Sequence, residues 1–328
     1  MPFISVVTAC FNEEENVREV YAQVRDAVES LPPRDGDPYT YEHIFIDNAS
    51  SDRTVPILRE ICAGDARVKV IVNTRNFGHI RSPFHGLMQA TGDAVISVVA
   101  DLQDPPELIR EFVRRWEEGF KIVIGIKKES LETKSMFFVR GLYYRLISRL
   151  AEIPLVKDFT GFGLYDRVVM DQLRAIDDPY PYFRGLICDL GYERFEVPYV
   201  QPRRRRGFTK NNLYTLFDMG MLGIINHSKV PLRLATMAGF IMSFLSLLVA
   251  IGYLIAKLIF WDQLPLGTAP MVIGVYLLAS VLLFFIGILG EYIGAIHTQV
   301  QKRPLVIERE RIGFEAGRDG TAPPSPDS

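Results

Sequence analysis

Ser97–Glu107, SVVADLQDPPE, is the stretch on which the fold turns. A run of small apolar residues rises out of Gly92-Asp93, as a buried strand does, and stops abruptly at Asp101-Leu102-Gln103-Asp104-Pro105-Pro106. Proline lacks the N–H that a strand ladder needs, yet its fixed φ suits the first turn of a helix. The pattern predicts a strand over Ala94–Val99 and a helical stretch over Glu107–Glu118. Asp101, Gln103 and Asp104 then sit at the strand's carboxyl end, where open α/β sheets place their ligand chemistry. Carboxylate and amide oxygens there suit a hard divalent cation that substrate phosphates also hold. A plain capped strand-to-helix turn uses the same residues, and the spacing does not separate the two readings.

Outward from this segment, short β-rich runs alternate with amphipathic stretches. Strands are expected at Ile4–Ala9, His43–Ile46, Val68–Val72 and Ile122–Ile126, and helices at Glu14–Leu31 and Thr54–Ala63. Such alternation implies βαβ units and a Rossmann-like, mostly parallel sheet. No G-x-G-x-x-G follows a strand, which argues against a nicotinamide-binding dehydrogenase. The 328 residues carry a formal charge of −2, so bulk charge gives no argument for nucleic acid as a partner. Cys10, Cys62 and Cys188 are scattered and odd in number, without metal or disulfide spacing, which suits a reducing compartment. The first residues, MPFISVVTACFNEEE, read as a buried strand and not as a signal peptide.

Charge concentrates before residue 235 and apolar runs after it. Leu234–Ala256 is uncharged and long enough to span a bilayer core, and a second uncharged stretch covers Gln263–Gly290. The second helix is expected to begin near Pro270 and to continue past Glu291. Two such runs side by side would overfill a soluble core. The link between them has no Lys or Arg, whereas Lys229, Arg233, Lys302 and Arg303 flank the outer ends. The positive-inside bias puts both termini in the cytoplasm. The expectation is a multi-pass protein of the cytoplasmic (inner) membrane, in contact with its lipids. Asn211–Ser228 has apolar residues at helical spacing and reads as an interfacial amphipathic helix. The expected boundaries are 1–210, 211–230, 231–300 and a cytoplasmic tail 301–328 whose end, after Gly317, is disordered.

Three further segments carry candidate chemistry. Asp47 should emerge at a strand's carboxyl end, in reach of a base or ribose, while Ser50, Ser51 and Asp52 look like turn and cap residues. Asp158 precedes a Gly-rich turn in DFTGFG, where it is a general base, an acceptor holder or an Asx-turn residue. Arg203–Arg206 with Lys210 form a dense cationic run. Some of these residues suit phosphate, others anionic headgroups.

In order and spacing, VVTACFNEEEN, FIDNASSDRT, RNFGH, GDAVISVVADLQDPPE, DFTGFGLYDR, YFRGL, RRRRGFTK and GEYIGAIHTQVQKRPL resemble the family 2 glycosyltransferases of GT-A fold. More narrowly, they look like the bacterial polyprenyl-phosphate glycosyltransferases related to dolichol-phosphate mannose synthase. The resemblance covers roughly residues 3–310. It implies a donor nucleotide site lined by Thr8, Ala9, Asn12, Glu13, Asp47, Asp101 and Lys127. It implies a divalent cation, Mg2+ or Mn2+, on Asp101, Gln103 and Asp104. Asp158 and Asp101 would be the catalytic pair, and Arg204, Arg206, Lys210 and Arg184 would meet the acceptor and its phosphate. As partners it implies a nucleotide sugar, a polyprenyl phosphate, a homo-oligomer (a tetramer) and a flippase for the lipid-linked sugar.

Three departures stand out. The first acid of Asp-x-Asp is Val99, Asp-Asp-Gly-Ser is Asp47-Asn48-Ala49-Ser50, and Ser-Gly-Phe-Arg is Thr160-Gly161-Phe162-Gly163. The implied activity is inverting transfer of a sugar from a nucleotide sugar to a polyprenyl phosphate, giving a lipid-linked sugar for cell-envelope glycans. Its rivals are a glycan-extending transferase with a sugar acceptor, which lacks the expected Gln-x-x-Arg-Trp signature, and a catalytically silent membrane scaffold, which Val99 and Gly163 would favour.

Overall fold

The structure is a computed structural model that describes residues 1–129, 156, 159–176, 178–202, 230–259, 268–301 and 303–314. The chain divides into two compact units, one holding a sheet with its helices and the other two long helices.

In the first unit, strands β1 (Phe3–Cys10), β2 (Thr40–Asp47), β3 (Val68–Asn73) and β4 (Ala94–Val99) form because their apolar runs are buried on both faces. They pair in parallel in the order β3-β2-β1-β4. Helices α1 (Val17–Glu29), α2 (Thr54–Gly64), α3 (Gly78–Met88) and α4 (Ile109–Glu117) join them. Each buries one stripe. In α4, Ile109, Phe112, Val113 and Trp116 recur at i, i+3, i+4 and i+7 against the core. Pro106 opens a 3-10 turn, Pro106–Leu108, that leads into α4. Gly92 before β4 is required by space, since a Cβ there would lie 2.6 Å from the Ser5 backbone nitrogen.

The far side of the sheet differs from expectation. Phe159–Asp166, read from sequence as a turn around two glycines, is strand β6. It pairs antiparallel with β4 and with β5 (Ile122–Glu129). Its register slips between Ile124 and Ile126, opposite Gly161, whose φ of 102° suits only glycine. Two short helices, α5 (Arg167–Ile176) and α6 (Phe183–Asp189), lead to β7 (Arg194–Val200), which lies parallel to β5. Glu308–Ile312, within the segment read as a tail, is β8, antiparallel to β3. The full order is β7-β5-β6-β4-β1-β2-β3-β8.

The second unit contains α7 (Val230–Ile259) and α8 (Thr268–Gln301). Helix α8 continues past Glu291, as expected. Among the described residues, one stretch, Val281–Gln301, is long and apolar enough to cross a membrane, and none of it is buried. Phe240 and Val249 of α7 and Leu283 and Phe284 of α8 are exposed large apolar side chains. Residues 211–228 and the link at 261–267 lie outside the described residues.

Candidate active site

The carboxyl ends of β1, β2 and β3 carry loops tied together by side chains. At the end of β2, Asp47 is buried and accepts hydrogen bonds from the Ser50 backbone N–H (2.9 Å) and the Ser50 hydroxyl. Burial pushes its carboxyl above the usual range, and the Ser50 bonds oppose that. The Ser50 hydroxyl oxygen also accepts from Asn12 N–H (2.8 Å), and Asn12 Oδ1 accepts from Ser51 N–H (2.8 Å). The Asn12 and Ala49 backbones are left-handed, at φ 53° and 62°. Glu13 N–H donates to the Thr54 hydroxyl, and Arg53 N–H donates to the Glu14 carboxylate, both at 2.9 Å. Asp52 Oδ1 accepts from Thr54 N–H (3.0 Å) and hydroxyl (2.6 Å), so this residue does hold the start of α2. Asn48 extends the net to β3. Its amide donates to Asn76 Oδ1 (2.9 Å), and its oxygen accepts from Phe77 N–H (2.8 Å).

Two residues expected to line the nucleotide site lie within β1. Thr8 is fully buried, and its hydroxyl meets His43 Nε2 at 2.9 Å. Its side chain is thus engaged inside the sheet. Ala9 is half-buried and packs on the core between the sheet and α3.

A second set gathers where β4, β5 and β7 end and β6 begins. After β4 the chain turns through Leu102 at φ 58°, with Gln103 N–H donating to Asp101 Oδ1 (3.1 Å). Asp101 and Gln103 are half-buried, and Val99, at the place of the missing first acid, is 39% exposed. Asp104 is buried. The Tyr199 hydroxyl of β7 donates to its Oδ1 at 2.8 Å. Burial pushes the Asp104 carboxyl up to about 6, reinforced by the charge of Asp101 and opposed by the Tyr199 bond and the charge of Lys127. Lys127 of β5 stands in register beside Tyr199. Arg184 in α6 donates to the Phe159 carbonyl (3.3 Å), at the start of β6 and next in sequence to Asp158. Asp158, Arg204, Arg206 and Lys210 lie outside the described residues.

For a cation, the donor set resolves into unequal parts. No group of three or more His, Cys, Asp or Glu side chains converges among the described residues. Asp104 has one oxygen engaged by Tyr199 inside the core, which leaves Asp101 as the half-buried carboxylate, with Gln103 two residues on. That donor set fits Mg2+ or Mn2+ held by one carboxylate, waters and substrate phosphates, and does not fit an all-protein cage.

The departure at Gly163 has a steric cause. A Cβ at that position would come within 2.5 Å of the Val123 carbonyl oxygen. The strand pairing that brings Gly163 opposite Ile124 leaves no room for an arginine. Tyr199 was not foreseen. Its signal was the alternation of buried Val197 and Tyr199 in RFEVPYV, a strand that its charges and Pro198 disguise.

Residues 5–174 match the model of glycosyl transferase family 2. The chain is 35% identical over 315 residues to the uncharacterized glycosyltransferase YkcC of Bacillus subtilis, covering 96% of this chain and 95% of that one. It is 31% identical over 305 residues to the SfII prophage-derived bactoprenol glucosyl transferase of Shigella flexneri, covering 93% and 96%. Among solved structures it is similar to glucosyl-3-phosphoglycerate synthase of Mycobacterium tuberculosis, with a TM-score of 0.47 and 19% identity over 68% of this chain and 76% of that one.

Proposed function

The chain belongs to glycosyl transferase family 2, and from that membership we propose that it moves a sugar from a nucleotide-sugar donor to a polyprenyl phosphate at a bacterial cytoplasmic membrane. The observation that carries the acceptor is the similarity, over 93% of the chain, to a bactoprenol glucosyl transferase. The arrangement of the sheet supports a donor site spread along one edge. The stitched loops after β1 and β2 offer a preformed cradle for the nucleoside, and Asp101 and Lys127 stand where its diphosphate would lie. A divalent cation on Asp101 would neutralise charge on the leaving diphosphate.

The phosphate oxygen of the acceptor attacks the anomeric carbon, the bond to the donor diphosphate breaks, and the configuration inverts. The second pKa of a phosphomonoester is about 6, so the nucleophile is already ionised near neutrality and needs little from a base. The residues' work is to place two anions in line and to hold the charge that leaves. Lys127 serves the departing diphosphate. Arg184, beside the start of β6, serves the acceptor phosphate together with Arg204, Arg206 and Lys210, and Asp158 orients that group. Helices α7 and α8 both span the bilayer in this reading, holding the catalytic unit and both termini on the cytoplasmic side. A homo-oligomer and a flippase for the product complete it.

Transfer of radiolabelled sugar from a panel of nucleotide sugars to polyprenyl phosphate tests the proposal. A lipid-extractable product that mild acid releases as free sugar is the expected result. Transfer only to a glycan acceptor would overturn it.

A further inference from the structure

Three arginines converge at the start of α3 and answer to none of the roles above. The Arg75 guanidinium lies 3.9 Å and that of Arg81 5.5 Å from the centroid of the same ring, Phe77. Arg81 also donates through Nη2 to the Pro304 carbonyl, which draws Arg303 to the same place. Among the described residues, no ion pair joins Arg75, Arg81 or Arg303 to a carboxylate. Arg81 Nε is buried without a hydrogen-bond partner, and a buried donor left unmet is costly. Burial lowers the Arg81 pKa first, the charges of Arg75 and Arg303 lower it further, and Tyr180 opposes them, so Arg81 stands near two like charges. Such a cluster is relieved by an anion that offers several oxygens.

We propose that Arg75, Arg81 and Arg303 form a docking surface for the phosphates of anionic phospholipid headgroups. The source of the phosphate follows from the covalent chain. Arg303 stands two residues after Gln301, the end of α8, so the backbone keeps it within about 7 Å of that helix end. The apolar stretch Val281–Gln301 ends at the same residue. Where that stretch leaves the bilayer, headgroups are the anions at hand. Guanidinium groups held on an aromatic ring meet them with little conformational freedom left to lose. The inference rests on the proposal that α8 spans a membrane.

The test uses the full chain in nanodiscs of phosphatidylcholine with or without phosphatidylglycerol. A photocrosslinking p-benzoylphenylalanine replaces His79, which is exposed in the first turn of α3. Mass analysis should find phosphatidylglycerol adducts at that position. Their yield should fall roughly fivefold per arginine removed, in Arg303→Gln and in Arg75→Gln/Arg81→Gln. Arg303→Gln alters neither strand nor helix, so it remains informative if the double variant misfolds. Equal adduct yields in all variants would overturn the proposal. So would a double variant that loses nucleoside diphosphate binding while keeping its lipid adducts, because the arginines would then belong to the donor site. Extraction of the wild-type chain from membranes by alkaline carbonate would instead overturn the spanning helix itself.

Discussion

The two halves of the sheet's carboxyl edge treat polar side chains in opposite ways. After β1, β2 and β3, the carboxylates, amides and hydroxyls described above are engaged within their own loop or by a neighbouring one. Asp47 holds Ser50, Asn12 holds Ser51, Asp52 holds Thr54, and Asn48 holds Phe77. After β4 and β5, Asp101 and Lys127 are both half-buried along the edge, on either side of the buried Asp104 in its electrostatic surroundings. The first half ties its polar groups into its own loops, and in the proposed function the second turns Asp101 and Lys127 toward the donor diphosphate. Preorganisation suits the invariant part of a donor, and open charge suits the part that changes during reaction.

Asp101→Asn separates the halves most sharply. Transfer should fall at least about a hundredfold, the scale of losing one preorganised electrostatic group, while the melting temperature holds. Activity that survives both this change and excess chelator would mean that the open half does no chemistry.

Gly163→Ala attacks the open half through its scaffold. The added methyl meets the Val123 carbonyl at 2.5 Å, and overpacking of this kind costs about 1–3 kcal/mol. Gly163→Arg should yield no folded protein. A soluble, active Gly163→Arg chain would show that the β5–β6 pairing is looser than described.

Acid tests the outer edge of the stitched half. Glu308 of β8 is held to about pKa 2 by His85 and Arg311, although burial pushes the other way. Its folded pKa is depressed, so its contribution is complete above the unfolded value near 4.5 and is lost as pH falls toward 2. At about 1.36 kcal/mol per unit, the ceiling is roughly 3 kcal/mol. Hydrogen exchange at β8 should quicken over that window, and Glu308→Gln should remove the pH dependence. An unchanged profile in Glu308→Gln would place the acid-sensitive contact elsewhere.

Ser50→Ala should have the mildest effect, about 1 kcal/mol of stability for its hydrogen bonds, with a raised KM for the donor and little change in kcat. A large fall in kcat with unchanged KM would move the Asp47 loop from the cradle into the chemistry.

What the sequence disclosed follows from burial. Strands β1 to β5 lie inside the sheet, and their continuous apolar runs are visible in one dimension. Strand β6 was hidden because Gly161 and Gly163, there to fit a bulge and a close backbone, read as turn residues. Strand β8, ERERI, has almost no apolar signal, since its hold on the sheet is the backbone ladder to β3, with Ile312 on the core and ion pairs such as Arg59–Glu310 at 2.5 Å outside it. The place of Asp101 at the end of β4 was legible from the Pro-Pro stop. The partner of Asp104 was not, because Tyr199 lies 95 residues away and comes to it only through the β5–β7 pairing. The engagement of the Thr8 hydroxyl by His43 was likewise not legible, because it depends on the β1–β2 pairing across 35 residues.

The position of β8 also bears on how the protein would fail. Without it, Val70–Asn73 would present a row of unpaired N–H and C=O groups flanked by buried-type valine and isoleucine, a ready template for another copy's strand. The alternating Glu and Arg of β8 close that row with a strand too charged to recruit a further one. A chain cut after Gln301 would keep both long helices and still be prone to self-association, strand to strand, from the far edge of its sheet.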